Sequence, residues 1–196
     1  MINECPPLLH FAAKYCGKDI FEYIFQNVEG IFLKKIEGKT PYHIAADYGN
    51  VEVCEFILKN TDEEHPRDDE EMTPLEYAVQ KGNSLVCKLI VEKVENKNPR
   101  NDDGTTPMHC AAEFCCSFDC LKIIMENVDN KNPSDMTGWT PLHQAAFSGH
   151  FSICKLIIEN IKDKNPKDHK GITPLQLAME QDDPRIQKLI KDAMKK

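Results

Sequence analysis

A Thr-Pro pair recurs along this chain at an almost constant interval. It stands at residues 40–41, 73–74, 106–107, 140–141 and 173–174, so successive prolines are 33, 33, 34 and 33 residues apart. One interval earlier, PLLHFAA (7–13) aligns with TPYHIAA (40–46). A fixed period of this length indicates an array of stacked structural repeats, because a single repeat cannot bury its own apolar face.

The period divides the chain into six units. Their expected boundaries are about 7–39, 40–72, 73–105, 106–139, 140–172 and 173–196. The first unit has Pro7-Leu8 in place of Thr-Pro, and the sixth has Asp182-Asp183-Pro184 at its inter-helix turn. Atypical end units are typical of capping repeats, whose outer faces contact water. We therefore expect residues 1–196 to form a single domain in which the first and last units are caps.

Each unit has the pattern of a helix hairpin. The threonine is placed to cap the first helix, and the proline occupies its first position, where a missing N–H has no consequence. A small pair such as Ala45-Ala46 lets two helices approach closely. Gly49, Gly82 and Gly149 are placed to end that helix in a left-handed conformation. A second helix with apolar residues at helical spacing follows, then an Asn/Pro/Asp-rich turn. The pattern predicts an all-α protein.

The strings TPYHIAA, TPMHCAA and TPLHQAA resemble the ankyrin-repeat signature, and the resemblance covers about residues 6–196. It implies an ankyrin-repeat solenoid, in which stacked helix-turn-helix units are joined by hairpin-loop fingers in a curved, L-shaped stack. It also implies that a protein partner contacts the finger tips and the exposed side of the first helices, which line the concave groove.

Two internal units also depart from the ankyrin pattern. Unit three has Glu76 where four of the other units have histidine and the sixth has Gln176, and Glu71 replaces the turn glycine before it. We expect the finger that contains Glu71 to be longer, looser or differently shaped. Unit four has one extra residue within EFCCSF (113–118), which should bend or lengthen its inter-helix turn.

Composition and charge narrow the classes of partner. The hydrophobic fraction of 41% and the charged fraction of 29% are those of a soluble globular protein. The net charge of -8 disfavours nucleic acids and anionic membranes and favours a protein partner with a basic segment. No signal peptide is evident, so the nine cysteines predict reduced thiols in a cytoplasmic or nuclear protein. We expect a monomer.

The sequence contains no motif for catalysis, metal binding or cofactor binding that fits a known spacing. Its histidines at 10, 43, 109 and 143 recur at the same position in four of the six units, which favours a structural role near each helix start. Cys54, Cys87 and Cys154 share one position in the second helix and are expected to be buried as small apolar residues. One alternative is a thiol- or metal-dependent activity at a cluster of His109, Cys115, Cys116 and Cys120.

Candidate partner-binding residues lie on the first helices and the fingers. Tyr15, Tyr48, Phe114 and Phe147 follow the small pair in their units and predict an exposed aromatic row. The alternative is that these aromatic residues are ordinary packing. At the finger position before Thr-Pro, the candidates are Met72 and Trp139.

An acidic run adds a second candidate surface. Seven of the ten residues in DEEHPRDDEE (62–71) are acidic, and we expect the run to attract a basic segment of a partner. The candidate residues within it are Asp68, Asp69, Glu70 and Glu71.

These features predict a protein–protein interaction module, acting as an adaptor, a scaffold or an inhibitor, and not an enzyme. A regulatory subunit that docks on an enzyme is an alternative that uses the same surface. A segment of a larger protein, with its function elsewhere, is another.

Overall fold

A computed structural model of the chain describes residues 8–28 and 35–195. Within these ranges the secondary structure is helical, apart from one isolated bridge between Ile36 and Lys39. The all-α prediction is therefore confirmed. The chain divides into two compact units, Met1–Asn96 and Lys97–Lys196. From here on, "first unit" and "second unit" mean these two parts, each described by itself, and the six units of the sequence are called repeats.

The first unit contains six described helices, in three hairpins. They are α1 (Leu8–Tyr15), α2 (Lys18–Asn27), α3 (Pro41–Asp47), α4 (Val51–Asn60), α5 (Pro74–Lys81) and α6 (Ser84–Lys93). The first helices of the hairpins, α1, α3 and α5, pack side by side, and the second helices, α2, α4 and α6, form a parallel layer behind them.

The second unit repeats this arrangement. Its helices are α7 (Pro107–Glu113), α8 (Phe118–Glu126), α9 (Pro141–Phe147), α10 (Phe151–Asn160), α11 (Pro174–Glu180) and α12 (Pro184–Ala193). A 3-10 helix at Cys115–Ser117 joins α7 to α8, where the sequence has its extra residue. The inter-helix turn of this hairpin is thus longer, as predicted. The Ser117 hydroxyl donates hydrogen bonds to the carbonyls of Ala111 and Phe114, which fixes the longer turn.

The first helices begin and end as the sequence pattern predicts. Thr40, Thr73, Thr106, Thr140 and Thr173 are N-caps, each followed by proline at the first helical position. Gly49, Gly82 and Gly149 adopt left-handed φ angles of 73°, 70° and 72° just after the helix ends. In the last hairpin Asp182 takes this position with a φ of 52°. Aspartate is one of the few residues other than glycine that tolerates this conformation, so the turn keeps its geometry without glycine.

The core of each unit lies between its two helix layers. Leu9, Leu75 and Leu142 are fully buried, and so are the alanine pairs that let first helices approach each other. Cys54, Cys87 and Cys154 are also fully buried, which confirms their predicted role as small apolar residues. Burying one leucine side chain contributes roughly 1.5–3 kcal/mol, so most of the stability resides in these contacts between neighbouring repeats.

Among the helices that the structure describes, none is long and apolar enough to cross a membrane.

Tyr42 offers a test of this core. It occupies the buried position that is leucine in α1, α5 and α9, and its hydroxyl has no hydrogen-bond partner among the described residues. A buried hydroxyl without a partner is destabilising, so Tyr42→Phe should raise the free energy of unfolding by about 1 kcal/mol in urea denaturation.

A matched control is available at Tyr77. Its hydroxyl donates a 2.6 Å hydrogen bond to an Asp68 carboxylate oxygen, so Tyr77→Phe should lower the free energy of unfolding by about 1–3 kcal/mol. Loss of stability in Tyr42→Phe that matches the loss in Tyr77→Phe would contradict the packing described for Tyr42.

Candidate functional site

Each finger with a complete description is closed by one acidic or amide side chain at its start. In the finger between α4 and α5, one Asp68 carboxylate oxygen accepts hydrogen bonds from the backbone N–H groups of Glu70 and Met72, at 3.0 and 2.9 Å. The backbone closes the same loop, because Asp68 N–H donates to the Met72 carbonyl at 3.1 Å. Equivalent side-chain bonds are made by Asn101, Asp135 and Asp168. The fingers are therefore preorganised by their own residues.

Neighbouring fingers of the second unit are also linked directly. Met136 N–H donates to the Asp103 carbonyl at 2.9 Å, and His169 N–H donates to the Thr137 carbonyl at 3.0 Å. A β-carbon on Gly138 would lie 2.8 Å from the backbone nitrogen of His169, so only glycine permits this approach. The finger tips of this unit form a connected, fixed surface.

The finger with Glu71 keeps the geometry of the others. Glu71 adopts a left-handed φ of 63°, close to the 76°, 85° and 81° of Gly104, Gly138 and Gly171. Its N–H donates to the Asp68 carbonyl at 3.2 Å, as Gly138 N–H donates to Asp135 at 3.1 Å. The expectation of a longer, looser or differently shaped finger is therefore wrong. The loop's hydrogen bonds hold the glutamate in a strained conformation.

The recurrent histidines connect each first helix to the next finger. The His43 Nδ1 accepts hydrogen bonds from the Thr40 N–H at 3.0 Å and the Thr40 hydroxyl at 2.9 Å. Because Nδ1 accepts, the proton is on Nε2, which donates to the Met72 carbonyl at 3.0 Å. His10, His109 and His143 donate in the same way to the carbonyls of Lys39, Trp139 and Ile172. The predicted structural role of these histidines is confirmed.

Glu76 and Gln176 replace histidine at the equivalent position in α5 and α11. A Glu76 carboxylate oxygen accepts from the Thr73 N–H at 2.7 Å, and the Gln176 side-chain oxygen accepts from the Thr173 N–H at 2.9 Å. Burial raises the pKa of Glu76, although its bonds to Thr73 act in the opposite direction. The chain thus retains the helix cap with three different side chains.

The cluster of His109, Cys115, Cys116 and Cys120 does not form one site. Both ring nitrogens of His109 are hydrogen-bonded, to Thr106 and to the Trp139 carbonyl. Cys120 is fully buried, whereas Cys115 and Cys116 are exposed. In the described ranges, no group of three or more histidine, cysteine or acidic side chains is arranged to hold a metal ion.

An exposed aromatic surface lies on α1 and at the end of α3, and we call Phe11, Lys14, Tyr15 and Tyr48 the tyrosine face. Tyr15 and Tyr48 are 62% and 51% exposed, and their ring centroids are 6.4 Å apart. Phe11 is also exposed, with its ring 4.8 Å from that of Tyr15. The Lys14 ammonium lies over both tyrosine rings, at 4.7 and 4.4 Å from their centroids. The sequence alone does not reveal that Lys14 contacts both tyrosine rings.

The aromatic candidates of the second unit are packed more closely. Phe147 is partly exposed and meets the Trp139 ring edge-on at 5.7 Å. Trp139 is half-buried, stacks on His143 at 6.1 Å and donates its indole N–H to Asp168 at 3.2 Å. Phe114 is half-buried at the end of α7. Packing accounts for Trp139, while Phe147 still presents a surface to solvent.

The acidic candidates differ in exposure. Asp68 is 5% exposed and structural, whereas Asp69 and Glu70 are exposed. Burial raises the pKa of Asp68, but hydrogen bonds from Tyr77 and from the N–H groups of Met72 and Glu70 more than offset this and leave the pKa below its usual value. Glu71 is half-buried and lies 3.6 Å from the Arg67 guanidinium. Met72 is half-buried beside it, with its carbonyl engaged by His43.

The buried histidines predict how stability depends on pH. Burial lowers the pKa of all four imidazoles, for His43 to about 4, while each bond to a carbonyl acts in the opposite direction. In the unfolded chain they titrate near 6.5, so the unfolded state binds more protons below this pH. The free energy of unfolding should therefore fall as pH drops from about 6.5 toward 4, with His43 contributing up to about 3 kcal/mol.

His43→Gln is the informative variant, because Gln176 already fills this position in α11. Chemical denaturation at neutral and mildly acidic pH should show a weaker pH dependence in His43→Gln. The exposed His169, changed to glutamine, serves as the control for the loss of an imidazole. An unchanged pH dependence in His43→Gln would show that the histidine is not the group responsible.

Comparison with known proteins agrees with this architecture. A family model described as ankyrin repeats (3 copies) matches residues 9–101, 80–168 and 117–195. The crystal structure of an ankyrin repeat domain from Acinetobacter baumannii AYE matches with a TM-score of 0.79 and 23% identity, over 95% of this chain and 97% of that one. At this identity the match shows a shared fold. No curated protein sequence matches the chain. The fold and the family match together show that this chain belongs to the ankyrin-repeat family.

Proposed function

We propose that this protein acts as an adaptor, a scaffold or an inhibitor by binding a protein partner through its first helices and finger tips. Ankyrin repeats are protein–protein interaction modules. The observation that carries the proposal is the exposure of Phe11, Tyr15 and Tyr48 together on one surface, formed by α1 and the end of α3. Exposed aromatic clusters are typical of binding surfaces, and tyrosine is enriched among the residues that contribute most to affinity.

The rigidity of the scaffold supports this proposal. Tyr48 follows a helix that is capped at Thr40 and tied to the next finger through His43. A side chain on a fixed helix loses little conformational freedom when a partner binds, so more of its contact energy appears as affinity. The aromatic face is therefore suited to recognition.

The finger between α4 and α5, which we call the acidic finger, favours a partner with a basic segment. Asp69 and Glu70 are exposed at its tip, and the exposed Glu37 belongs to the preceding finger. Charges at the rim of an interface mainly increase the association rate and confer salt dependence. In our proposal Asp69 and Glu70 supply this attraction, while Asp68 and Glu71 act within the finger.

We propose further that the six repeats form one monomeric domain in the cytoplasm or the nucleus, without catalytic activity. The unbroken period supports the single array. The burial of Cys54 and Cys154 as small apolar residues in the core supports a reducing compartment. A regulatory subunit docked on an enzyme would use the same first-helix surface.

Affinity capture with mass spectrometry tests the proposal. The bait is the native chain, run beside a Tyr15→Ser/Tyr48→Ser variant and a Tyr23→Ser control. Tyr23 is 69% exposed on α2, outside the tyrosine face, so the control removes an equally exposed ring. A partner should be captured by the native chain and the control, and recovered at least about tenfold less by the double variant, as expected for two hot-spot residues.

Circular dichroism first establishes that all three proteins are folded. Equal recovery of every partner by the double variant would contradict binding through the tyrosine face.

A further inference from the structure

We infer that the tyrosine face is a receptor for an arginine side chain in a basic segment of the partner, and that Lys14 occupies this receptor until the partner displaces it. This inference rests on the proposed function and specifies the chemistry of its binding site. It concerns the first unit alone.

The position of Lys14 shows which ligand the two rings accept. Its ammonium is 4.7 Å from the Tyr15 centroid and 4.4 Å from the Tyr48 centroid, well within the range of a cation–π contact. The ring planes are tilted by 45° to each other, so they form an open wedge around the cation. In the described part of the chain, Lys14 contacts the side chains of these two tyrosines and makes no ion pair. The two tyrosine side chains therefore act as its partners in place of a carboxylate.

Arginine is better suited to this wedge than lysine. Its guanidinium is planar, stacks on aromatic faces and is more weakly hydrated than an ammonium group. Both tyrosine rings are more than half exposed, so a guanidinium from another protein can approach from solvent. Phe11, with its ring 4.8 Å from Tyr15, extends the aromatic wall for the aliphatic part of an incoming side chain.

The charged groups closest to the tyrosine face along the chain and across the unit do not favour a further cation, because they are one carboxylate and two ammonium groups in addition to Lys14. The carboxylate of Asp47 lies 3.6 Å from the Lys81 ammonium, and the Lys39 ammonium lies over the Tyr77 ring at 5.2 Å. Lys39 and Lys81 thus both have partners within the first unit, and each limits the local attraction for a further cation. Attraction must then come from charges farther along the unit.

The distribution of charge supplies this attraction. Residues 1–96 carry 18 acidic and 10 basic side chains, whereas residues 97–196 carry 14 of each. The entire net charge of -8 therefore belongs to the first unit, which also contains the tyrosine face. Residues 62–71 alone carry seven acidic side chains and one arginine. A basic segment is drawn to the first unit, where its arginine can replace Lys14.

If Lys14 competes for the wedge, its removal should strengthen the binding of an arginine more than the removal of another lysine of the first unit. Lys14→Gln and Lys88→Gln remove the same charge from the same unit. Lys88 lies on α6 and contacts Glu92, away from the aromatic rings. Both variants change the net charge of the first unit by the same amount, but only Lys14→Gln removes the cation from the wedge.

The test is an NMR titration of the full chain with a short peptide of alternating arginine and glycine. A peptide with citrulline in place of arginine keeps the shape and removes the charge. The arginine peptide should shift the ring resonances of Tyr15 and Tyr48 and leave those of Tyr23 in place. Lys14→Gln should lower the Kd about threefold relative to Lys88→Gln, as expected for one exposed cation–π contact. Tyr15→Leu/Tyr48→Leu should raise the Kd by about tenfold, since both rings are lost.

Equal Kd values for Lys14→Gln and Lys88→Gln would overturn the inference, and so would equal binding of the arginine and citrulline peptides. Shifts confined to the acidic finger would also overturn it. If a captured partner depends on Tyr15 and Tyr48 while the arginine peptide leaves these rings unshifted, the proposed function stands and the arginine receptor is excluded. If the peptide binds as described but no partner depends on these tyrosines, the proposed function fails instead.

Discussion

The interaction on which the rest of this structure depends is made by one buried histidine near the start of each of the helices α3, α7 and α9. In α3, His43 accepts from the Thr40 N–H with one nitrogen and donates to the Met72 carbonyl with the other. A single ring thus caps its own helix and fixes the backbone where the next finger joins the next repeat. Buried N–H and carbonyl groups are destabilising when unpaired, so this bridge satisfies two of them at once.

The surface proposed to bind a partner follows from this constraint. Because the helices and fingers are held by backbone hydrogen bonds, the side chains that project from them keep fixed positions. Trp139 illustrates the division of roles, since its carbonyl accepts from His109 while its ring stacks on His143. Tyr15 and Tyr48 contribute less to this framework and remain exposed, held against Lys14. The acidic side chains gather on the same unit and add long-range attraction.

The repeat architecture could be predicted from the sequence, because caps, turns and buried positions recur at a fixed spacing. The exposure of Tyr15 and Tyr48 was also predictable, from their positions after the small pair. The geometry around Glu71 was not, since its replacement of glycine suggested an altered loop, whereas the Asp68 hydrogen bonds keep the loop unchanged. The recurrence of Asp or Asn at 68, 101, 135 and 168 was an available signal for this closure. Lys14 could not be identified, because its contact joins side chains from two repeats.

Nitrogen NMR of the imidazole side chains at neutral pH tests the bridge between helix cap and finger. We expect His43, His109 and His143 to be neutral, with the proton on Nε2 and an unprotonated, hydrogen-bonded Nδ1. Spectra that instead show protonated Nδ1 atoms in these three rings would contradict the bridge between helix cap and finger. The positions assigned to the fingers, and to the binding surface between them and the first helices, would then need another physical basis.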